Sequence, residues 1–206
     1  MVNPENRIYL ASRSPRRREL LKQIGVSYEV LLVRENSPRG ADVSEAPLPG
    51  ETPVEYVIRV AQVKAEMGWR SVVKRRLPES PVLAADTAVV LDNEIFGKPD
   101  DARHARQMLR RLSGKTHQVL TAVSVVRDER ISTVLSASAV EFRELDDDEI
   151  RRYVAGGEPN DKAGAYAIQG RAAIFASRIT GSYSGIMGLP LYETAELLRK
   201  HNMTLV

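Results

Sequence analysis

The 206-residue sequence contains no cysteine. A disulfide framework, a thiolate metal site and a cysteine nucleophile are therefore excluded. Aromatic residues make up only 5% of the chain, which disfavours a surface that binds nucleic acid by stacking bases on aromatic rings. No apolar run approaches the ~18 residues that a membrane-spanning helix needs, and the start of the chain lacks the basic-then-apolar order of a signal peptide. We therefore expect a soluble, cytoplasmic protein.

A large excess of charge of one sign is also missing, because 30 basic side chains are balanced by 27 acidic ones, a formal net charge of +3. The basic side chains are nevertheless clustered, at residues 16–18, 74–76 and 103–111. A nucleic-acid-binding protein is expected to carry a larger excess, so these clusters fit a small polyanionic ligand at least as well. The hydrophobic content of 43% is sufficient for one compact domain, or for one domain in two lobes.

The chain is organised around residues 10–21, where a short apolar strand is followed directly by a helix. Ser14 suits the N-cap position and Pro15 the first helical position. Residues 16–18 are all arginine, and positive side chains in a first turn oppose the helix dipole. A bound anion would resolve that conflict, since a helix N-terminus with free amides and arginines is suited to phosphate. On its own, this pattern fits a solvated basic turn better than a binding site.

Candidate functional residues follow in the middle of the chain. The near-continuous apolar run at residues 81–91 predicts a strand buried on both faces, and Asp86 lies in its middle. A buried carboxylate needs a hydrogen-bond partner, a metal or a chemical task, although a structural carboxylate at a bulge is the alternative. Lys64 lies beside the apolar stripe of a predicted helix, where its ammonium must snorkel, the commoner outcome, or meet an anion. Gly97 allows close approach of a ligand to the backbone, and Lys98 offers it a point charge.

The rest of the pattern predicts the other secondary-structure elements. A capping-box pattern from Thr52 to Glu55 opens the helix that carries Lys64. Helices are predicted at 100–112, from about 145, and after Pro190 to about residue 201. Strands are predicted at 28–33, 118–126, 133–142 and 172–179, and loops at 34–52 and 181–185. Small residues and glycines at 160–170 indicate a backbone that lies close to a ligand. The three histidines, at positions 104, 117 and 201, fit no metal spacing or triad and are predicted to be surface or capping residues.

Seven short motifs occur in order along nearly the whole chain. They are Leu-Ala-Ser-Arg-Ser-Pro-Arg-Arg at 10–17, Ala-Asp-Thr at 85–87, Gly-Lys-Pro at 97–99, Leu-Ser-Gly-Lys-Thr-His at 112–117, Asp-Lys-Ala-Gly-Ala-Tyr at 161–166, Ile-Gln-Gly at 168–170 and Gly-Leu-Pro at 188–190. Each is weak alone, but the ordered set resembles the Maf family of nucleoside triphosphate pyrophosphatases, also described as inhibitors of septum formation. The resemblance implies an α/β fold over residues 1–206 as a single domain. In it, an elongated twisted mixed sheet is flanked by helices, with two lobes around a central cleft, as in Maf and ITPase-like proteins.

The resemblance also implies a reaction, the hydrolysis of a nucleotide between its α- and β-phosphates to the monophosphate and pyrophosphate. It assigns catalysis to Asp86, phosphate binding to Ser12, Arg16, Arg17, Lys64 and Lys98, and substrate specificity to Arg16, Thr87 and Gln169. Arginine, threonine and glutamine at the last three positions match the group that acts on dTTP and UTP. A sibling group that looks specific for 7-methyl-GTP has tryptophan, glutamine and glutamate there. The Gln169 amide can both donate and accept, which suits the O4 and N3–H edge of thymine or uracil.

A divalent metal cation, Mg²⁺ or Mn²⁺, is implied by the triphosphate and by the resemblance. Many relatives carry two acids in the loop after the second strand, whereas residues 34–37 here read Arg-Glu-Asn-Ser. Either Glu35 therefore binds the metal with Asp86, or Asp86 and substrate oxygens bind it alone. Whether Asp86 activates the attacking water or holds the metal also stays open.

The implied partner is a nucleoside triphosphate, with no stable nucleic-acid or membrane partner and with a homodimer left open. The main hypothesis is thus a dTTP/UTP pyrophosphatase, with removal of modified pyrimidine nucleotides as one use of that activity. Two alternatives remain. One is the same chemistry on another nucleotide, 7-methyl-GTP or an inosine type, and the other is a septum-associated interaction protein.

Overall fold

The computed structural model describes residues 7–31 and 44–205. Its strands are β1 (Arg7–Leu10), β2 (Ser27–Val30), β3 (Val82–Leu91), β4 (Glu94–Phe96), β5 (Thr116–Arg127), β6 (Arg130–Phe142) and β7 (Ala176–Thr180). They form one sheet in the order β2-β1-β3-β5-β6-β7, with β4 paired to β3. β1 is parallel to β2 and β3, and the other pairs are antiparallel. The mixed sheet expected from the resemblance is therefore confirmed.

Helices flank this sheet on both faces. They are α1 (Pro15–Gln23), α2 (Pro53–Lys74), α3 (Ala102–Leu112), α4 (Asp147–Ala155), α5 (Tyr183–Met187) and α6 (Leu191–Arg199). The predicted capping box is present, because Thr52 Oγ1 accepts from the Glu55 amide and the Glu55 carboxylate accepts from the Thr52 amide. Near the other end of α2, a Cβ on Gly68 would lie 2.6 Å from Val82 Cγ1. Glycine at that position therefore allows α2 to pack closely on β3.

The alternation of side chains along β3 explains its apolar sequence. Val82 and Ala84 pack in a cluster with α2, whereas Leu83 and Ala85 pack with α1 and α6 on the opposite face. A strand covered on both faces needs apolar side chains at successive positions. A separate cluster joins α3, α4 and the turns at 163–175 to the far ends of β3, β5 and β6. The apolar core is thus divided into parts that meet along the central strands.

Some predicted elements are wrong in the structure. Residues 172–179 are not one strand, since a 3₁₀ turn at Arg171–Phe175 precedes β7 and buries Ala172 and Phe175, three positions apart. The predicted loop at 181–185 instead opens α5, whose first turn is capped by Ser182 Oγ accepting from the Gly185 amide at 3.0 Å. For the second strand, predicted at 28–33, the structure assigns Ser27–Val30 to β2 and leaves Leu31 outside it, while residues 32–33 lie outside the described ones.

Two of the three histidines are also placed differently from the prediction. His117 is 2% exposed and His201 is 5% exposed, so neither is a surface residue. The His117 ring packs edge-on against Phe142 and Tyr166, and its Nε2 lies 2.8 Å from Tyr166 Oη. Burial lowers the pKa of His117 to about 4, so the ring is neutral at physiological pH. His104 follows the prediction of a surface residue, because its side chain is 38% exposed.

Candidate active site

The site lies at a gap in the sheet beside β3. On this edge β3 pairs with β1 only through Val82 and Leu83, and with β4 only from Val89 onward. Between those contacts, the chain leaving β1 turns into α1, and the chain leaving β4 runs through Gly97 and Lys98. The middle of β3 therefore opens toward the loops at the ends of two neighbouring strands. A cleft of about 420 Å³ occupies this position, within the size range of small-molecule sites.

Asp86 and Thr87, neighbours at the centre of β3, point to opposite faces of the sheet. Asp86 points to the same face of the sheet as Ala84 and contacts α2, whereas Thr87 contacts α1 and β5. The two side chains alternate because successive residues of a strand point in opposite directions. Both nevertheless line the cleft, since the sheet is open at this point.

Lys64 of α2 lies between two carboxylates. Its Nζ is 2.8 Å from Asp86 Oδ1 and 2.5 Å from Glu45 Oε1. Lys64 and Asp86 are each 8% exposed, so the buried lysine meets anions instead of snorkelling to solvent. This ion pair supplies the partner that a mid-strand aspartate requires.

Burial disfavours the charged forms of both Asp86 and Lys64, but it sets the direction of the pKa shift only for Asp86. Desolvation raises the pKa of Asp86 above its ordinary value, and the nearby cations Lys64 and Arg17 offset part of that effect. Desolvation also works to lower the pKa of Lys64, but the charges of Asp86 and Glu45 outweigh it and the pKa is raised. Lys64 is therefore an ammonium at neutral pH, beside a carboxylate that holds a proton more readily than an exposed aspartate does.

The Arg17 side chain is fixed in the cleft by hydrogen bonds from all three of its guanidinium nitrogens. Its Nε donates to the Gly188 carbonyl at 2.8 Å, Nη1 to Ser12 Oγ at 3.1 Å and Nη2 to Thr87 Oγ1 at 3.2 Å. Ser12 Oγ also accepts from the Ser14 amide at 3.2 Å. Ser14 occupies the N-cap position as predicted, but its side chain makes no capping hydrogen bond. The first turn of α1 is thus left without a side-chain cap at a cleft that Arg13, Arg16 and Arg17 line, a favourable combination for an anion.

The opposite wall is formed by turns at residues 161–169. Gly164, at φ +68°, lies against Val89, whose Cγ2 would be 2.8 Å from an added Cβ. Its amide donates to the Gly97 carbonyl at 3.1 Å, so this wall is fastened to the end of β4. Gln169 is exposed at the end of the wall and lines the cleft. The small residues of this stretch thus pack closely on β3 and β4, as well as lining the cleft.

Nearly all the site residues predicted from the sequence line the cleft. The lining includes Ser12, Arg16, Arg17, Lys64, Asp86, Thr87, Lys98 and Gln169. Glu35 lies outside the described residues. The sequence reasoning did not nominate Glu45, Tyr56, Asp161 or Lys162, which line the cleft as well. Asp161 and Lys162 belong to a motif already noted in the sequence, so that motif was the available signal.

Glu45 is a second acid that contacts Lys64, and it comes from the region predicted as a long loop. The positive charges of Lys64, Lys98 and Arg17 outweigh its partial burial and lower the pKa of its carboxyl, so it is ionised. Two carboxylates that approach one ammonium nitrogen are also suited to a divalent cation, because Mg²⁺ is held by one or two carboxylates together with substrate phosphates. Within residues 7–31 and 44–205, no cluster of three or more acids and histidines has the geometry of a complete metal site. The residues present therefore fit a metal that arrives with a phosphate ligand.

Comparison with known proteins gives consistent results. The family model described as Maf-like protein matches residues 7–201. The dTTP/UTP pyrophosphatase of Nitrosospira multiformis is 60% identical over 200 residues, covering 97% of each chain. The dTTP/UTP pyrophosphatase of Nitrosomonas europaea is 55% identical over 201 residues, again covering 97% of each.

The structure of the Staphylococcus aureus Ham1 protein is similar in fold, with a TM-score of 0.51 at 15% identity, and the match covers 96% of this chain and 100% of that one. Among the described residues, no helix has both the length and the hydrophobicity needed to cross a membrane.

Proposed function

This chain belongs to the Maf family, and on that premise we propose that it is a pyrophosphatase that hydrolyses dTTP and UTP to the monophosphate and pyrophosphate. The observation that carries the proposal is the meeting of a buried carboxylate, Asp86, with lysines and arginines in one cleft at the gap beside β3. The names of relatives that are 60% and 55% identical over nearly their whole length support the same reaction.

The basic side chains bind the triphosphate in this proposal. Arg17 is oriented by hydrogen bonds to the Gly188 carbonyl, Ser12 Oγ and Thr87 Oγ1, and a guanidinium oriented in this way loses little entropy when it donates to phosphate oxygens. Lys98 is exposed at the rim and adds a point charge that a flexible polyphosphate can reach. Neutralising the triphosphate and the departing pyrophosphate is the main electrostatic task in phosphoryl chemistry. Ser12 contributes by fixing Arg17.

Asp86 is the proposed catalytic residue. Burial raises the pKa of its carboxyl, which brings it closer to the value that suits a general base for the water attacking the α-phosphorus. The same carboxylate, together with Glu45, would hold a divalent cation, and Mg²⁺ fits these oxygen donors. When bound, that cation would add charge neutralisation and orient the triphosphate. Lys64 fixes the carboxylate of Asp86 on the cleft side of β3 in either role.

Base selection is assigned to the far wall of the cleft. Gln169 is exposed there, and its amide can accept from N3–H and donate to O4 of thymine or uracil. Arg16 lies on the α1 side of the same cleft, across from the wall at residues 161–169. Arg16 and that wall would therefore act together on a nucleotide between them.

The function is tested by measuring pyrophosphate release over a panel of nucleotides that includes dTTP, UTP, the other common triphosphates, ITP and 7-methyl-GTP. We expect the highest kcat/KM with dTTP and UTP. A preference for ITP or 7-methyl-GTP would keep the chemistry and overturn the specificity. Nucleotide binding without any pyrophosphate release would favour an interaction protein instead.

Replacing Gln169 with glutamate tests whether this side chain recognises the nucleotide base. The substitution keeps the size, removes the amide donor and places a negative charge near O4, so kcat/KM for dTTP and UTP should fall by roughly 10- to 100-fold. A positively charged base should suffer less, which shifts the ratio of kcat/KM values toward 7-methyl-GTP. Gln107→Glu is the matched control, because Gln107 is exposed on α3 outside the cleft. An unchanged ratio would mean that Gln169 does not contact the base.

Replacing Arg16 with alanine separates a ligand contact from a structural one. Arg16 is half-buried in the first turn of α1, where a positive charge opposes the helix dipole, so its loss should leave the melting temperature nearly unchanged. The kcat/KM for dTTP should fall by at least about 10-fold, because a charge-assisted contact is lost. Arg103→Ala, on the exposed face of α3, is the control for general loss of charge. A large drop in melting temperature with little change in kcat/KM would mean that the arginine is structural.

A further inference from the structure

Thr121 is a polar residue behind the cleft that no ligand can touch. It lies on β5 directly opposite Thr87 of β3, and it is 0% exposed. Its Oγ1 is 2.8 Å from the Gly185 carbonyl oxygen of α5 and 3.0 Å from Thr87 Oγ1. A completely buried hydroxyl thus connects α5 to a threonine that lines the cleft.

The Thr121 hydroxyl is the donor in both contacts. A carbonyl oxygen can only accept and a hydroxyl has a single proton, so Thr121 shares that proton between the Gly185 carbonyl and Thr87 Oγ1. Thr87 Oγ1 also accepts from Nη2 of Arg17, at 3.2 Å. The Arg17 guanidinium and the Thr121 hydroxyl therefore meet at one acceptor, the Thr87 oxygen.

This shared acceptor bears on how Arg17 is oriented. With one lone pair accepting from Thr121, Thr87 turns its other lone pair toward the guanidinium. Another acceptor of Arg17, the Gly188 carbonyl, lies just beyond α5, whose Gly185 carbonyl Thr121 holds. Two acceptors that orient the guanidinium, Thr87 Oγ1 and the Gly188 carbonyl, are thus linked to Thr121.

We propose that Thr121 is a positioning residue for Arg17 and acts on it through Thr87. The inference rests on the proposed function only in taking Arg17 to be a phosphate ligand. Without the Thr121 hydroxyl, the Thr87 hydroxyl can rotate, and the guanidinium loses a fixed acceptor on one edge. A further consequence is that both lone pairs of the Thr87 oxygen are occupied, so Thr87 can donate its proton to a bound nucleotide but not accept from it.

The test compares Thr121→Val, which removes the hydroxyl, with Thr121→Ser, which keeps it. Thr121→Val should fold, because the Gly185 carbonyl still accepts from the Gly188 amide at 2.9 Å. Binding of inorganic pyrophosphate is measured by calorimetry for both variants, each with Arg17 present and with Arg17→Ala. With Arg17 present, we expect Thr121→Val to weaken binding by roughly 5- to 20-fold and Thr121→Ser to stay near wild type. With Arg17→Ala, the two variants should bind pyrophosphate equally.

Equal affinities of the valine and serine variants with Arg17 present would overturn the inference. The same loss in the Arg17→Ala background would also overturn it, because Thr121 would then act on the fold and not on the arginine. Pyrophosphate binding requires no turnover, so a wild-type protein that binds pyrophosphate but does not hydrolyse dTTP would overturn the proposed function alone. A wild-type protein that does not bind pyrophosphate would remove the premise that Arg17 is a phosphate ligand and overturn the inference as well.

Discussion

Replacing Asp86 with asparagine is expected to abolish pyrophosphate release, with a loss in kcat of about 10²- to 10⁴-fold or more, the range associated with a general base. Asparagine has nearly the same shape but carries no charge, so it can neither accept the proton of the attacking water nor hold a divalent cation. The fold should be retained, because Lys64 keeps Glu45 as a counterion at 2.5 Å. The melting temperature should accordingly change little compared with the loss in kcat.

The matched control for this variant is Asp92→Asn. Asp92 is exposed in the turn directly after β3 and has φ +51°, a backbone conformation that asparagine also adopts. Steady-state hydrolysis of dTTP should be normal in the control and lost in Asp86→Asn at every pH. Activity of Asp86→Asn within a few-fold of wild type would remove Asp86 from the mechanism.

The position of Asp86 was predictable from the sequence, whereas its partner was not. The apolar run on either side of the carboxylate predicts a strand covered on both faces, which the structure confirms. The phase of α2 places Lys64 beside the apolar stripe, but no sequence pattern tells which strand that stripe covers. The ion pair depends on the packing of α2 on one face of β3, a tertiary contact between residues 22 positions apart.

Other parts of the site were beyond sequence reasoning because local signals compete there. The stretch from Gly181 to Gly185 has the composition of a loop, yet the Ser182 side chain caps a short helix. His117 looks like an ordinary polar residue, but a hydrogen bond to Tyr166 allows its burial behind the cleft. The family resemblance places metal-binding acids directly after the second strand, so it pointed to Glu35 and not to Glu45, which lies further along the chain. Its approach to Lys64 is set by the course of the chain before α2, not by spacing.

Replacing Lys64 with methionine should have the second large effect, on stability and activity together. The change leaves Asp86 buried without its ammonium, and removing one member of a buried ion pair costs on the order of 3 kcal/mol. For a chain of this size, the melting temperature should fall by roughly 6–12 °C. The kcat/KM for dTTP should fall by about 10²-fold or more, because a fixed positive charge is lost from the phosphate site.

The pH dependence of this variant identifies the cause of the loss. In the folded wild-type protein the pKa of Asp86 is already raised by burial, and the loss of Lys64 raises it further. The folded state of the variant therefore binds a proton more readily than the unfolded state, so its stability increases as the pH falls. The difference in melting temperature between wild type and variant should narrow as the pH is lowered from about 8 to about 5. Lys74→Met, at an exposed position of the same helix, is the control and should lower neither stability nor activity. If the difference between wild type and Lys64→Met were constant over this pH range, the lysine would stabilise the protein through packing and not as the counterion of Asp86.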